Sequence, residues 1–422
     1  MTVLKALREP ALPPAPRLAA PLDRLLAGTL AVFGFVLPFS PPAVALAMLA
    51  LLLLLLPAAP ALWRSAPWRD PVIAVGLALL AYIALHTWVV SGFTASSGRL
   101  VNHYHELLMA AVLLGLFRLV SRPQWFFFGL ALGAVGYAAV HWLGLAWQPL
   151  AEDLSSRRIS AGFGLALCAF LLLDQSRRYT GRVRALLRAG ALFLAATVLF
   201  AIDGRTGHVV LLVLVACAAW WHSPPRLRWA ALVALPTAAA LLALSSTAVQ
   251  SRLGETLAVA RGAPNGELTS TGIRMELLHA ALEVARGHYA TGAGFARYGD
   301  FHSASARARD AALGRPAAPY PWAQVNNPHN EFLMQLVGGG VLALALFLAW
   351  LGLTALRRTA GRPDRLLIAM SLAFATGCLF NSLLRDFAEG HLYVALLAWA
   401  LARSGRQEAA APAVAGGGKR AA

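Results

Sequence analysis

The sequence predicts an all-α, polytopic membrane protein with about 12 transmembrane helices and one large outward loop that contains helices of its own. Three observations lead there. Of the 422 residues, 59% are hydrophobic and 13% charged, whereas a soluble domain is about 45–50% apolar and about a quarter charged. Apolar runs of about 17–25 residues, the length that crosses a bilayer as a helix, recur along the chain. The remaining charges are one-sided, with 36 Lys+Arg against 19 Asp+Glu and a formal net charge of +17. Helices are expected because unpaired backbone groups are too costly in hydrocarbon.

In order, the candidate spans lie near 25–40, 42–58, 71–90, 103–120, 125–146, 159–174, 186–203, 207–222, 229–245, 329–356, 366–384 and 391–403. The chain divides into an N-terminal tail (1–24), nine spans (25–245), a long loop (246–328), three spans (329–403) and an Ala/Gly-rich tail (404–422) expected to be disordered. The first 24 residues lack an early apolar core, so no cleavable signal is expected. Cys168, Cys217 and Cys378 sit inside apolar runs, as small core residues do.

Orientation follows the Lys/Arg bias of short loops. Lys5, Arg8, Arg64, Arg69, Arg118, Arg122, Arg177, Arg178, Arg182, Arg226, Arg357, Arg358, Arg362, Arg403 and Arg406 fall on one side. The opposite short loops hold only Arg99, Arg157, Arg158, Arg205 and Arg385. Both termini are therefore expected in the cytoplasm, with the loop 246–328 outside. Positive-inside topology and anionic inner-leaflet lipid account for the net charge, and no nucleic acid is implied.

Within the loop, residues from Thr271 to about Arg286 have a helical apolar face of Ile273, Leu277, Ala281 and Val284, with Arg274 near its start. Thr291-Gly-Ala-Gly-Phe295 marks a turn. The richest stretch is Asn326-Asn-Pro-His-Asn-Glu331, followed by an apolar run and Gly338-Gly-Gly340. Asn327 reads as an N-cap and Pro328 as the first helical residue, which places His329 in the first turn at the outer interface. A neutral imidazole there is what a general base needs.

Arginines on the outer side run against the topology bias. Arg157, Arg158, Arg205, Arg274 and Arg385 are the candidates, and a guanidinium matches phosphate oxygens in a two-pronged fork. The alternative is ion pairing of Arg205 with Asp203, or Arg385 with Asp386. His103, His105 and Glu106 are residue types that hold metals, but they do not share one helical face, so no metal is expected. No Walker loop, HExxH, GxSxG or dinucleotide fingerprint occurs in a suitable context, and no cofactor is indicated.

At His329-Asn330 with Gly338-Gly-Gly340, the chain resembles the O-antigen ligase and polymerase superfamily. Arg205 in Asp203-Gly-Arg-Thr-Gly207 matches that family's arginine at the outer start of a span. Arg274-Met-Glu-Leu-Leu278 and Gly292-Ala-Gly294 match its loop motifs, and Asn381-Ser382 with Asp386 match a segment near the last span. Leu278 stands where the family has an aromatic, so Arg286 stays open as an alternative to Arg274.

The resemblance implies a metal-independent, inverting glycosyltransferase of the bacterial inner membrane with a periplasmic site. It implies transfer of O-antigen polysaccharide from undecaprenyl diphosphate to lipid A–core, in lipopolysaccharide biosynthesis. His329 would be the base, Arg205, Arg274 and Arg158 would bind the diphosphate, and Asn330 and Asp386 would support them. An O-antigen polymerase or a protein O-oligosaccharyltransferase would use the same donor. A multi-span solute transporter is the alternative of another class, although no internal repeat supports it.

Overall fold

The computed structural model describes residues 18–245, 250, 254, 257, 270–312, 314 and 325–410. Residues 1–17 of the expected N-terminal tail, 411–422 of the expected C-terminal tail and the loop stretches 258–269 and 315–324 lie outside the described residues. The described chain is nearly all helical, with a two-residue hairpin of Arg358–Thr359 and Arg362–Pro363 as its sheet.

Every one of the twelve apolar runs contains a helix. Seven helices are long and apolar enough to cross a membrane, or eight if the bent pair Ala95–Asn102 and Glu106–Leu119 forms one span. Local sequence sets many of their starts. Asp70 accepts a hydrogen bond from the Val72 amide just before Pro71 opens Pro71–Ser91, and Asp364 accepts from the Leu366 and Leu367 amides to open Arg365–Cys378. Both are aspartate N-caps over amides that lack intrahelical partners.

Small residues let the helices touch. Gly34, Gly129 and Gly133 bring Ala20–Val36 against Gln124–Gly144, and a side chain at Gly129 or Gly133 would collide with the Ala31 or Phe35 carbonyl. Gly162 and Gly207 do the same for Arg158–Ser176 and Arg205–His222. Without a hydrophobic drive between helices in lipid, such close contact is a main source of association. The centre is formed by Arg158–Ser176, buried continuously from Ala161 to Leu172, and by Phe387–Ala410, buried from Leu392 to Ala402.

Two expectations change. The tail expected to be disordered from 404 is helical to Ala410. Its side chains have partners: Ser404 Oγ donates to Asp364 Oδ2 at 2.6 Å, and Arg406 Nη2 donates to the Phe117 carbonyl at 2.9 Å. The long loop also holds a second helix, Tyr298–Ala312, after the helix expected from Thr271 to about Arg286, which runs over Ser270–His288.

The helix Glu331–Ala355 breaks at Gly340, where φ is +70°. The carbonyls around the break are used. Val337 O accepts from Ala293 N at 2.7 Å, Gly338 O from Gly294 N at 3.1 Å, and Gly339 O from Tyr82 Oη at 2.7 Å. Gly292, at φ +77°, lies so close that an added Cβ would sit 2.6 Å from Gly338 O. The Thr291–Phe295 turn thus docks on the glycine triplet as a short strand would. Irregular backbone at membrane depth is tolerated only when protein groups satisfy it in this way.

Candidate active site

Two loops, 325–330 and 379–386, meet at the N-terminal ends of Glu331–Ala355 and Phe387–Ala410. Four hydrogen bonds join them, and a fifth ties the second loop to Glu331 at the start of the helix. Asn330 Nδ2 donates to the Leu379 carbonyl at 3.1 Å, Ser382 Oγ to Asn327 Oδ1 at 2.6 Å, and Arg385 Nη1 to the Asn326 carbonyl at 2.6 Å. The Leu384 amide donates to Glu331 Oε2 at 3.1 Å. The remaining inter-loop bond involves His329.

His329 Nδ1 lies 2.8 Å from Asn381 Oδ1, and Asn381 Nδ2 lies 2.7 Å from Asp386 Oδ2. An ionised carboxylate only accepts, so it fixes which end of the amide faces it. The Asn381 oxygen then faces the imidazole, which must donate from Nδ1. That tautomer leaves the Nε2 lone pair free, the form a general base uses. Burial raises the Asp386 carboxyl above its ordinary range, and the attraction of His329 and Arg385 works against that rise. The unit is a carboxylate, an amide and an imidazole in series.

The sequence placed His329 in the first turn of the helix, after an Asn327 cap. The structure corrects this. The helix starts at Glu331, and Asn330 is its N-cap, with Oδ1 accepting from Leu333 N at 3.0 Å. Asn327 instead closes a turn on the His329 amide at 2.9 Å. His329 lies outside the helix with φ +49°, a left-handed conformation uncommon for a residue with a side chain. Such strain is maintained only where surrounding contacts over-determine it, and the four inter-loop bonds with the Leu384–Glu331 bond do so here. Both ends of the Asn330 side chain are engaged, which holds the loop to the helix start.

Arg158 and Arg205 open two touching helices. A Cβ on Gly204 would lie 2.7 Å from the Arg158 carbonyl, which puts both arginines at one corner. Arg158 Nη1 donates to the Ser155 carbonyl at 3.2 Å. Two residues on, Ser160 Oγ donates to Glu389 Oε1 at 2.8 Å. Glu389 is in the first turn after Asp386, so this bond ties the arginine corner to the His329 loop. Arg274 stands half-exposed in the first turns of Ser270–His288, on a third element that packs against Glu331–Ala355. Arg385 is buried and holds the Asn326 carbonyl.

Beside Ser160 lies a cavity of about 330 Å³, lined mainly by apolar groups such as Pro38, Phe39, Tyr137 and Phe387, with Arg157 and His391 among them. Further in, Glu106 is buried between two imidazoles, with His391 Nδ1 at 3.5 Å and His105 Nδ1 at 3.8 Å. One ligand-type atom from each of His105, Glu106 and His391 falls within 4.8 Å of the others. Sequence reasoning grouped His103 with His105 and Glu106. The third member is His391, brought in from a helix nearly 300 residues later in the chain. Asn381, named from the sequence only within the Asn381-Ser382 motif and given no role there, is the residue that joins His329 to Asp386.

Residues 189–348 match a family model described as O-antigen ligase. The match contains Arg205, Arg274, His329 and the glycine triplet, while Arg158, Asn381 and Asp386 lie outside it. No curated protein matches the chain.

Proposed function

Proceeding from membership of the O-antigen ligase family, which the match over residues 189–348 supports, we propose that this chain transfers a lipid-linked O-antigen glycan to lipid A–core. The donor is undecaprenyl diphosphate carrying the polysaccharide, and the acceptor is a hydroxyl of the core oligosaccharide. The reaction takes place on the periplasmic face of the inner membrane. Twelve spans, cytoplasmic termini and an outward loop 246–328 complete this reading. The helices found in all twelve runs and the Lys/Arg bias support it.

The observation that carries the chemistry is the relay from Asp386 through Asn381 to His329. His329 Nε2 takes the proton of the acceptor hydroxyl as its oxygen attacks the anomeric carbon. The bond from that carbon to the diphosphate oxygen breaks, and the diphosphate leaves with the electron pair. One displacement inverts the anomeric centre. The imidazolium that forms is stabilised by the Asn381 oxygen and by the Asp386 charge behind it.

Arg205, Arg158 and Arg274 bind the diphosphate and stabilise its growing charge, as fixed donors at a transition state do. They supply in this reading what a divalent cation supplies in other sugar transferases. The apolar cavity beside Ser160, with Arg157 among its lining residues, suits the lipid end of the donor next to its phosphates.

Deleting the chain from its cell tests the assignment. The proposal predicts bare lipid A–core and accumulated lipid-linked glycan, both reversed by the wild-type gene. Full-length donor glycan would be lost if the chain polymerised O-antigen, and unglycosylated protein acceptors would appear if it modified proteins.

A further inference from the structure

At the other end of the same helices lies a larger cavity of about 780 Å³. It opens where the C-terminal ends of Arg158–Ser176 and Arg205–His222 meet the start of Arg228–Leu244, the 358–363 hairpin and the last turns of Phe387–Ala410. Arg403 is 17 residues beyond Asp386, about 25 Å along the helix at 1.5 Å per residue. The cavity is therefore separate from the His329 site.

Six arginines line it: Arg177, Arg178, Arg228, Arg362, Arg365 and Arg403. Its two acids are engaged by groups other than the first five. Asp364 caps a helix and accepts from Thr359, Ser404 and Arg403, and Asp174 faces Arg403 at 3.8 Å. Among the described residues, none of the other five arginines forms an ion pair. Arg228 Nε and Arg403 Nε are buried without a hydrogen-bond partner. Burial and the repulsion of Arg403 lower the Arg178 guanidinium below its ordinary range. Two carboxylates, both held by Arg403, stand among six guanidinium groups, so the cavity carries a net positive charge.

Trp220 and Trp221 form another part of the wall, and the Arg228 guanidinium lies 5.7 Å over the Trp220 ring. Nearby Trp229 packs edge-on against Trp220, with ring centroids 5.0 Å apart, and is itself exposed. Tryptophans collect at the level of lipid headgroups, and arginine forks match phosphate oxygens.

We propose that this cavity binds a phosphate-bearing group, the headgroup of an anionic membrane lipid, at the membrane edge opposite His329. The arginines take the phosphate oxygens, and the indoles pack against the glycerol and first acyl carbons. This site does not depend on the glycosyltransferase reading.

The test uses the full chain in nanodiscs of phosphatidylcholine, with or without a minor fraction of phosphatidylglycerol. Bound lipid is counted by native mass spectrometry and unfolding is followed by temperature. Wild-type protein should retain phosphatidylglycerol and unfold at a higher temperature in its presence. Occupancy should fall about fivefold for each arginine removed in R178Q/R228Q/R365Q. The same substitution to lysine should retain part of it, and R226Q, outside the cavity, should retain all of it. Should the triple glutamine variant fail to fold, R178Q and R228Q singly carry the same expectation. Equal retention by wild type and variants would overturn the site. An equal thermal shift from inorganic phosphate alone, in phosphatidylcholine, would overturn the lipid assignment in favour of soluble phosphate.

Discussion

Asn381 stands between His329 and Asp386, with its amide oxygen 2.8 Å from the imidazole Nδ1 and its amide nitrogen 2.7 Å from the carboxylate. An amide in that position passes no proton onward. It holds one tautomer of the imidazole, and it transmits the pull of the carboxylate through its dipole. Asn381→Leu keeps the volume and removes both bonds. Transfer should fall at least about tenfold, or about 1.4 kcal/mol in the barrier, with folding retained. Asn381→Asp should be less damaging, because a carboxylate oxygen still accepts from Nδ1. Kinetics on the purified variants, with thermal unfolding as the control, check this order.

The raised carboxyl of Asp386 gives the acid limb of the pH profile a definite direction. Burial favours its protonated form, so protons bind as pH falls at a higher pH than for an exposed aspartate. Protonation removes the charge that anchors Asn381, so activity should fall there. Asp386→Asn should lower the plateau and abolish that limb. Stability moves the other way. A carboxyl whose folded pKa is raised stabilises the fold most below its unfolded pKa, and this contribution is lost as pH rises through the folded pKa. A pH series of kcat/KM and of Tm for wild type and variant measures both.

Each diphosphate arginine should carry a cost typical of one transition-state donor, about 10²–10³-fold in rate. Arg205→Gln and Arg158→Gln occupy one corner and should be less than additive together. Lysine at either position keeps the charge and loses the fork, so it should restore only part of the rate. Donor turnover measured against donor concentration separates a rate effect from a binding effect.

The pairing of the Gly292 turn with the glycine triplet is a structural requirement. Gly292→Ala forces a side chain into a φ of +77° against Gly338 and Gly340. The left-handed backbone alone costs about 1–2 kcal/mol, and the collision adds to it. Tm should drop, with loss of folded protein in membranes. Gly28→Ala, inside the helix Ala20–Val36 and meeting nothing nearby, should hold or slightly raise Tm.

The trio of half-buried His105 with buried Glu106 and His391 gives the metal question a direct test. Transfer should persist after dialysis against a chelator, and Glu106→Gln should lower stability without making activity depend on added metal. Activity lost to chelator and restored by one divalent cation would assign the trio a metal-dependent role.

The helices were legible in the sequence because lipid demands continuous apolar runs, and hydropathy reads those directly. The helix Tyr298–Ala312 was not, because the stripe it buries (Tyr298, His302, Ala306 and Asp310) is half polar and breaks the apolar period. His329 was legible as a lone imidazole beside a helix start. Its exact position was not, since Asn327 and Asn330 are equally good caps by sequence. The contacts of Asn330 with Leu379 and Leu333 decide between them. The relay was hidden for the same reason as the His391 contact. Each joins residues far apart in sequence, through loops whose meeting depends on packing of the whole bundle.

The most direct measurement is transfer by purified His329→Ala in lipid, with undecaprenyl-diphosphate glycan and lipid A–core as substrates. The variant should fold like wild type and bind donor, and its rate should fall by about 10²–10⁴-fold, the usual contribution of a general base. Transfer at the wild-type rate by a folded His329→Ala protein would contradict the account.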